Sequence, residues 1–199
     1  MCIDPSMIQA YTDPIDYFTN EDFEPNLKQS KHLAALDELL EAFDAGERHK
    51  YILRSEWGYG EGCTTMMAMM AIWFVEKTGG STIYVSPKHL ARFFTTKVNK
   101  IRRHKLLQGG IRNEVFIKGN RQVITCNYSD IPEYHSGQET DRPHLFLVEQ
   151  AAQVRKNILT RYLRKNLKYR KTPYIVVMTN NETHPFYTTE LSPAATTIK

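Results

Sequence analysis

The sequence predicts an α/β fold: a three-layer sandwich around a mainly parallel central sheet. Three observations carry that expectation. Short apolar runs of strand length alternate with longer segments of helical periodicity. The strand candidates are apolar throughout, as strands buried on both faces are. A glycine-rich turn joins the first of them to the most apolar helix.

Ser30 is placed to cap a helix whose Leu33, Leu36, Leu40 and Phe43 form one apolar stripe, closed by Gly46. Tyr51–Arg54 reads as a short strand, and Thr64–Lys77 as a helix ending at Gly79-Gly80. Thr82–Val85 reads as a strand, and Pro87 opens a helix from Lys88 to Lys105. Val115–Lys118 and Gln122–Cys126 flank a Gly-Asn turn and read as a hairpin. Leu145–Val148 and Tyr174–Met178 suit buried strands, and the basic segment between them has Val154, Ile158, Tyr162, Leu163 and Leu167 at helical spacing. This divides the chain into an acidic N-terminal segment (residues 1–29), one α/β domain (30–190) and a loose C-terminal tail (191–199).

The chain has 199 residues, 41% of them hydrophobic, enough for one sizeable core. No apolar run reaches membrane-spanning length, no signal peptide opens the sequence, and Cys2, Cys63 and Cys126 are odd in number and far apart. The expectation is a soluble intracellular protein. The histidines lack ligand spacing and the paired methionines, Met66-Met67 and Met69-Met70, suit core filling, so a zinc site is not expected.

Charge is uneven. Residues 1–50 hold 11 acids against 4 Lys/Arg, while the rest holds 22 Lys/Arg against 11 acids. Residues 97–112 contain six Lys/Arg and no acid, and residues 155–171 contain eight and no acid. Such stretches suit a polyanion, usually nucleic acid, with Arg102, Arg103, Lys105, Arg161, Arg164, Lys165 and Lys168 as the candidate contacts. A solvated helix face balancing the acidic N-terminus is the plainer alternative.

The turn itself, "EWGYGEGCTT" at residues 56–65, sits where ligands bind in a parallel sheet, beyond the carboxyl end of a strand. Glycines there let backbone N–H groups curl around phosphate oxygens while the next helix aims its positive end at them. The candidate nucleotide-binding residues are Trp57, Gly58, Tyr59, Gly60, Glu61, Gly62, Cys63, Thr64 and Thr65, with the hydroxyl of Thr64 (or Thr65) suited to Mg2+. Cys63 stands where a phosphate-binding lysine would be, and cannot supply its charge. Arg54 is the nearest cation that could reach in; an ion pair with Glu56 or Glu61 is the competing reading. Cys63 at a helix N-terminus also invites expectation of a thiol with lowered pKa, although filling a steric niche explains it equally well. In "HLFLVEQAAQV", residues 144–154, four apolar residues lead to Glu149, which keeps the charge needed beside Mg2+, and to Gln150, which can orient a water but not take its proton.

Taken together, these segments resemble the ATPase domain of viral DNA-packaging terminase large subunits, a P-loop NTPase of the RecA/ASCE type. "ILRSEWGYGEGCTT" matches the family's Walker A loop and "YHSGQETDRPHLFLVEQAAQV" its Walker B strand. "NEVFIKGNRQVITCNYS" resembles its hairpin, and "YIVVMTNNETHPFY" its coupling motif, with Thr179 and Asn180 at that position. In "DPIDYFTNEDFEPNLKQ", Gln29 matches an adenine-contacting glutamine. The resemblance implies an ATP- and Mg2+-dependent motor that translocates DNA, with Glu149, Gln150 and Arg54 catalytic and Thr64 and Glu149 at the metal. It also implies a homo-oligomeric ring, a portal and a small terminase subunit as partners, no membrane, and a virus-encoded protein in the host-cell cytoplasm. The departures are Cys63 for lysine, Glu149 for the usual aspartate, and Gln150 for the catalytic glutamate. Two alternatives stay open: a catalytically degenerate DNA- or protein-binding module on the same fold, and the N-terminal lobe of a superfamily 2 helicase.

Overall fold

A computed structural model of the chain describes residues 13–20, 23–46, 50–102, 114–117, 120–127, 144–150, 174–179 and 195–198. In chain order the elements are α1 (Pro14–Asn20), α2 (Leu27–Asp44), β1 (Lys50–Ser55), α3 (Cys63–Thr78), β2 (Ser81–Ser86) and α4 (Lys88–Arg102). They are followed by β3 (Glu114–Ile117), β4 (Asn120–Asn127), β5 (His144–Val148), β6 (Tyr174–Thr179) and β7 (Ala195–Ile198).

The seven strands form one sheet in the order β3-β4-β2-β5-β6-β1-β7. Among the described residues only the β3–β4 hairpin pair is antiparallel; the other pairings are parallel. Every residue of β5 and β6 is buried, as central strands of a parallel sheet require. The register aligns strand ends: Ser55 of β1 lies beside Thr179 of β6, and Met178 beside Val148 of β5. The carboxyl ends of the β1, β6 and β5 strands therefore converge on one edge, with Glu149 following directly on β5.

α3 is the central helix. Its residues from Thr65 to Val75 are all buried, so it is apolar on every side rather than amphipathic. It packs on Leu53, Tyr84, Leu145, Leu147, Ile175 and Val177 of the sheet, within one hydrophobic cluster. Burying Met66, Met67, Met69 and Met70 completely fits their reading as core filler. On its outer side the Trp73 indole N–H donates to Asp37 of α2 at 2.9 Å, and Tyr17 of α1 lies against the Trp73 ring at 5.6 Å. α4 is amphipathic: Phe94, Val98 and Ile101 are buried, and Phe94 stacks on Tyr84 of β2 at 3.8 Å.

Three expectations are corrected. The α2 cap is Asn26, not Ser30: the Asn26 side chain accepts from the Gln29 N–H at 2.9 Å, and the Gln29 side chain accepts from the Asn26 N–H at 2.9 Å. This capping box satisfies two otherwise unpaired amides and starts the helix one turn earlier. Residues 195–198, expected in a loose tail, form β7 parallel to β1, pairing Ile52 with Ala195 and Ser55 with Ile198. Four residues are too few to show periodicity, and their partner lies far away in sequence. Residues 14–20, read only as part of an acidic segment, form α1 with Tyr17 and Phe18 buried. The basic segment 155–171, expected to be helical, lies outside the described residues.

Candidate functional site

The carboxyl edge of the sheet carries a cleft of about 510 Å³. It is lined by residues 57–60 and 62–65 of the loop and the start of α3, by Glu149 and Gln150, and by Leu90, Phe93 and Lys97 of α4. That volume lies within the range of small-molecule sites, about 300–1,000 Å³.

The loop wall is shaped by glycine. Gly60 and Gly62 have φ of +80° and +87°, conformations that side chains oppose. Gly62 also approaches α2 closely: an added Cβ would stand 2.8 Å from Gln29 Nε2, which donates to the Gly62 carbonyl at 3.2 Å. Gly62 is the N-cap of α3 and no side chain caps that helix, so the amides of its first turn open toward the cleft. Trp57 anchors the other end of the loop. Its buried indole donates to Ser55 Oγ at 2.8 Å, and Lys28 lies over its ring at 4.6 Å. Glu61 is exposed and folds back, accepting from the Gly58 N–H at 2.9 Å and pairing with Lys28. Those two interactions, Lys28 first, hold its carboxyl below the usual range.

Two hydroxyls converge on Glu149, which is only 3% exposed. Thr64 Oγ1 donates to Oε1 at 2.7 Å, and the Tyr84 hydroxyl donates to Oε2. The Glu149 N–H donates to the Val85 carbonyl at 3.0 Å, fixing the turn after β5 against β2. Burial, and then the neighbouring Glu149 charge, push the Tyr84 hydroxyl pKa well above its ordinary value. Gln150 is the one non-glycine among the described residues with positive φ, at 53°, and its N–H donates to Thr179 Oγ1 at 3.1 Å. Thr179 also bonds the Cys63 thiol, so this one hydroxyl touches both the loop and the turn carrying Glu149 and Gln150.

Cys63 corrects the expectation of an activated thiol. Desolvation of its sulfur, followed by the Glu149 charge, raises its pKa and outweighs the hydrogen bond from Thr179 and the Lys28 charge. The helix dipole does not prevail where the sulfur is cut off from water and a carboxylate is near.

Other sequence candidates fall elsewhere. Arg54 donates to Glu56 at 2.8 Å and does not line the cleft, as the competing ion-pair reading has it. Gln29 is buried, with both ends of its amide engaged by Asn26 and Gly62, so it holds the loop to α2 rather than standing open in the cleft. Arg102 ends α4, while Arg103, Lys105, Arg161, Arg164, Lys165, Lys168 and Asn180 lie outside the described residues. The sequence reading missed Tyr84, whose strand face aims it at Glu149. It also passed over Lys97 as a cleft residue, although Leu90, Phe93 and Lys97 follow helical spacing.

The donor set fits Mg2+ bound together with a phosphate chain: a hydroxyl and a carboxylate oxygen, both hard ligands, lie in contact at the mouth of a helix. Among the described residues no three His, Cys, Asp or Glu side chains form a group that would hold a metal unaided, so phosphate oxygens and water would supply the remaining ligands.

A glycine loop after β1, an acid after β5, and β6 between those strands give a P-loop-like α/β sandwich. The fold is similar to that of the Thermus phage P74-26 large terminase ATPase domain, seen in two solved forms. Against a point-mutant form the TM-score is 0.56 at 12% identity, covering 87% of this chain and 72% of that one. Against a second form the TM-score is 0.53 at 12% identity, covering 82% and 68%. No protein-family model matches the sequence, and no curated protein does. At such identity the likeness establishes fold, and function must be argued from the cleft.

Proposed function

We propose that the cleft binds ATP with Mg2+, and that the chain is the nucleotide-driven part of a DNA-translocating motor of the terminase kind. The single observation carrying this reading is the 2.7 Å bond between Thr64 Oγ1 and Glu149 Oε1, which joins a helix-mouth hydroxyl to a buried carboxylate across 85 residues of sequence. A buried carboxylate is costly to maintain, and a fold carries one where charge is used.

In this reading the amides at the start of α3, with the backbone turned by Gly60 and Gly62, receive the phosphates. Mg2+ beside Thr64 and Glu149 would neutralise charge on the terminal phosphates. Gln150 orients the attacking water through its side-chain amide but accepts no proton, so hydrolysis is slow. Thr179, bonded to both Cys63 and the Gln150 amide, carries the nucleotide state from loop to sheet, with Asn180 next to it in the chain. The basic residues from 102 to 105 and from 161 to 168 contact the DNA backbone, and neighbouring copies in a ring, with a portal and small subunit, complete the motor.

Two observations favour binding without turnover. Glu61 already occupies the Gly58 amide, and Cys63 takes the position of the phosphate-binding cation. Phosphate release with and without double-stranded DNA separates the readings. A motor gives slow release that DNA stimulates, that Gln150→Glu raises and that Glu149→Ala abolishes. A binding module gives salt-sensitive DNA affinity and no release. Failure of the chain to bind ATP at all contradicts the motor reading, and absence of DNA affinity contradicts the binding module.

A further inference from the structure

We infer that Lys97 supplies the ammonium that the loop lacks, gripping the terminal phosphates from the α4 side of the cleft. The inference rests on the nucleotide reading above and names the residue that completes it.

The glycine loop offers amides but no cation of its own: Cys63 stands at the start of α3 with a thiol that stays neutral. Mg2+ beside Thr64 and Glu149 would offset part of the charge of a triphosphate in the cleft, but the loop itself adds only backbone dipoles, and a second cation facing the phosphates would offset the rest. Two cations close to the loop are already committed. Lys28 pairs with Glu61 and covers Trp57, and Arg54 pairs with Glu56. Neither lines the cleft. Lys97 does.

The helix presents it there for a definite reason. Phe94, Val98 and Ile101 turn one face of α4 into the core, which directs Leu90, Phe93 and Lys97 along the adjacent face toward the cleft. Phe93 remains 59% exposed, so this face is not spent on packing. Among the described residues no carboxylate forms an ion pair with Lys97. α4 also follows β2 directly in the chain, and β2 carries the Tyr84 that holds Glu149, so Lys97 and the carboxylate line the same cleft from neighbouring parts of the fold. A lysine on a flexible four-carbon stem suits a phosphate as a point charge.

The test is competition of ATP, ADP and AMP against a fluorescent ATP analogue, with excess Mg2+, on the wild-type chain and on three variants. Lys97→Met keeps the aliphatic stem and removes the charge. It is expected to weaken ATP by about tenfold or more, the size of one lost charge-assisted bond, while AMP changes little. Lys97→Arg retains ATP binding. Adding Cys63→Lys to Lys97→Met restores it, because an ammonium returns to the loop itself. Equal weakening of ATP and AMP by Lys97→Met, or unchanged ATP affinity, overturns the role of Lys97 while leaving nucleotide binding standing. A wild-type chain that binds none of the three overturns both.

Discussion

Glu149→Gln is the sharpest perturbation of the candidate site, because it removes one charge and almost no volume. Two terms act on stability and oppose each other. The hydroxyls of Thr64 and Tyr84 lose a charged acceptor. The difference between a charged and a neutral hydrogen bond is about 1 kcal/mol each. Against that, a carboxylate only 3% exposed no longer has to be kept ionised away from water, which returns a free energy of similar size. The variant should unfold within about 1 kcal/mol of wild type in a urea titration. Nucleotide binding should respond quite differently. Without the carboxylate, the Mg2+-dependent part of ATP affinity falls by about 1.5–3 kcal/mol, ten- to a hundredfold. The assay is ATP titration in excess Mg2+ and again in EDTA, comparing the ratio of the two affinities. Wild type should show a large ratio and Glu149→Gln a ratio near one. Equal ratios in the two proteins would refute the placing of Glu149 beside the metal.

Gly62→Ala should destabilise by about 2–3 kcal/mol, from the cost of a side chain at positive φ and the loss of the Gln29 bond. Gly79→Ala, at φ +63° with nothing within 4 Å, should cost only the first part, and denaturant unfolding of the pair isolates the Gln29 contact. Asn26→Ala should cost about 1 kcal/mol by removing the cap of α2, with Asn26→Ser recovering most of it in the same assay. Burial above all, and then the charges of Lys28 and Lys31, hold the His32 pKa below 6.5 despite its bond to the Lys28 carbonyl. The unfolded chain then takes up this proton more readily than the folded one. The His32 contribution is whole above pH 6.5 and is lost as pH falls below it toward the folded pKa. Urea midpoints at pH 7.5 and 5.5 should therefore converge in His32→Phe relative to wild type; an unchanged gap would contradict this.

Much of the sheet was legible because its strands are short apolar runs set off by turns, and burial on both faces makes them apolar throughout. The hairpin announced itself by Gly119-Asn120, and α3 by an unbroken apolar stretch between glycines. Boundaries depended on chemistry that periodicity does not carry. The Asn26–Gln29 box is visible only if polar residues before the apolar stripe are read as caps, and β7 exists only because β1 offers it an open edge. Within the site, Thr64 and Glu149 could be paired from the sequence, since a loop after one parallel strand and an acid after another share an edge of the sheet. Tyr84 and Lys97 could not. Their roles depend on which strand face and which helix turn are directed at that edge, which only packing decides. Cys63 failed for a related reason: its helix position was readable, but the burial of its sulfur, which packing decides, was not.

The central claim is that the backbone from residue 57 to 65 wraps a triphosphate, and amide hydrogen exchange of that segment tests it most directly. Adding ATP with Mg2+ should slow exchange across residues 57–65 and at Glu149 and Gln150, with AMP giving a weaker effect. Identical exchange in the presence and absence of saturating ATP would contradict the account.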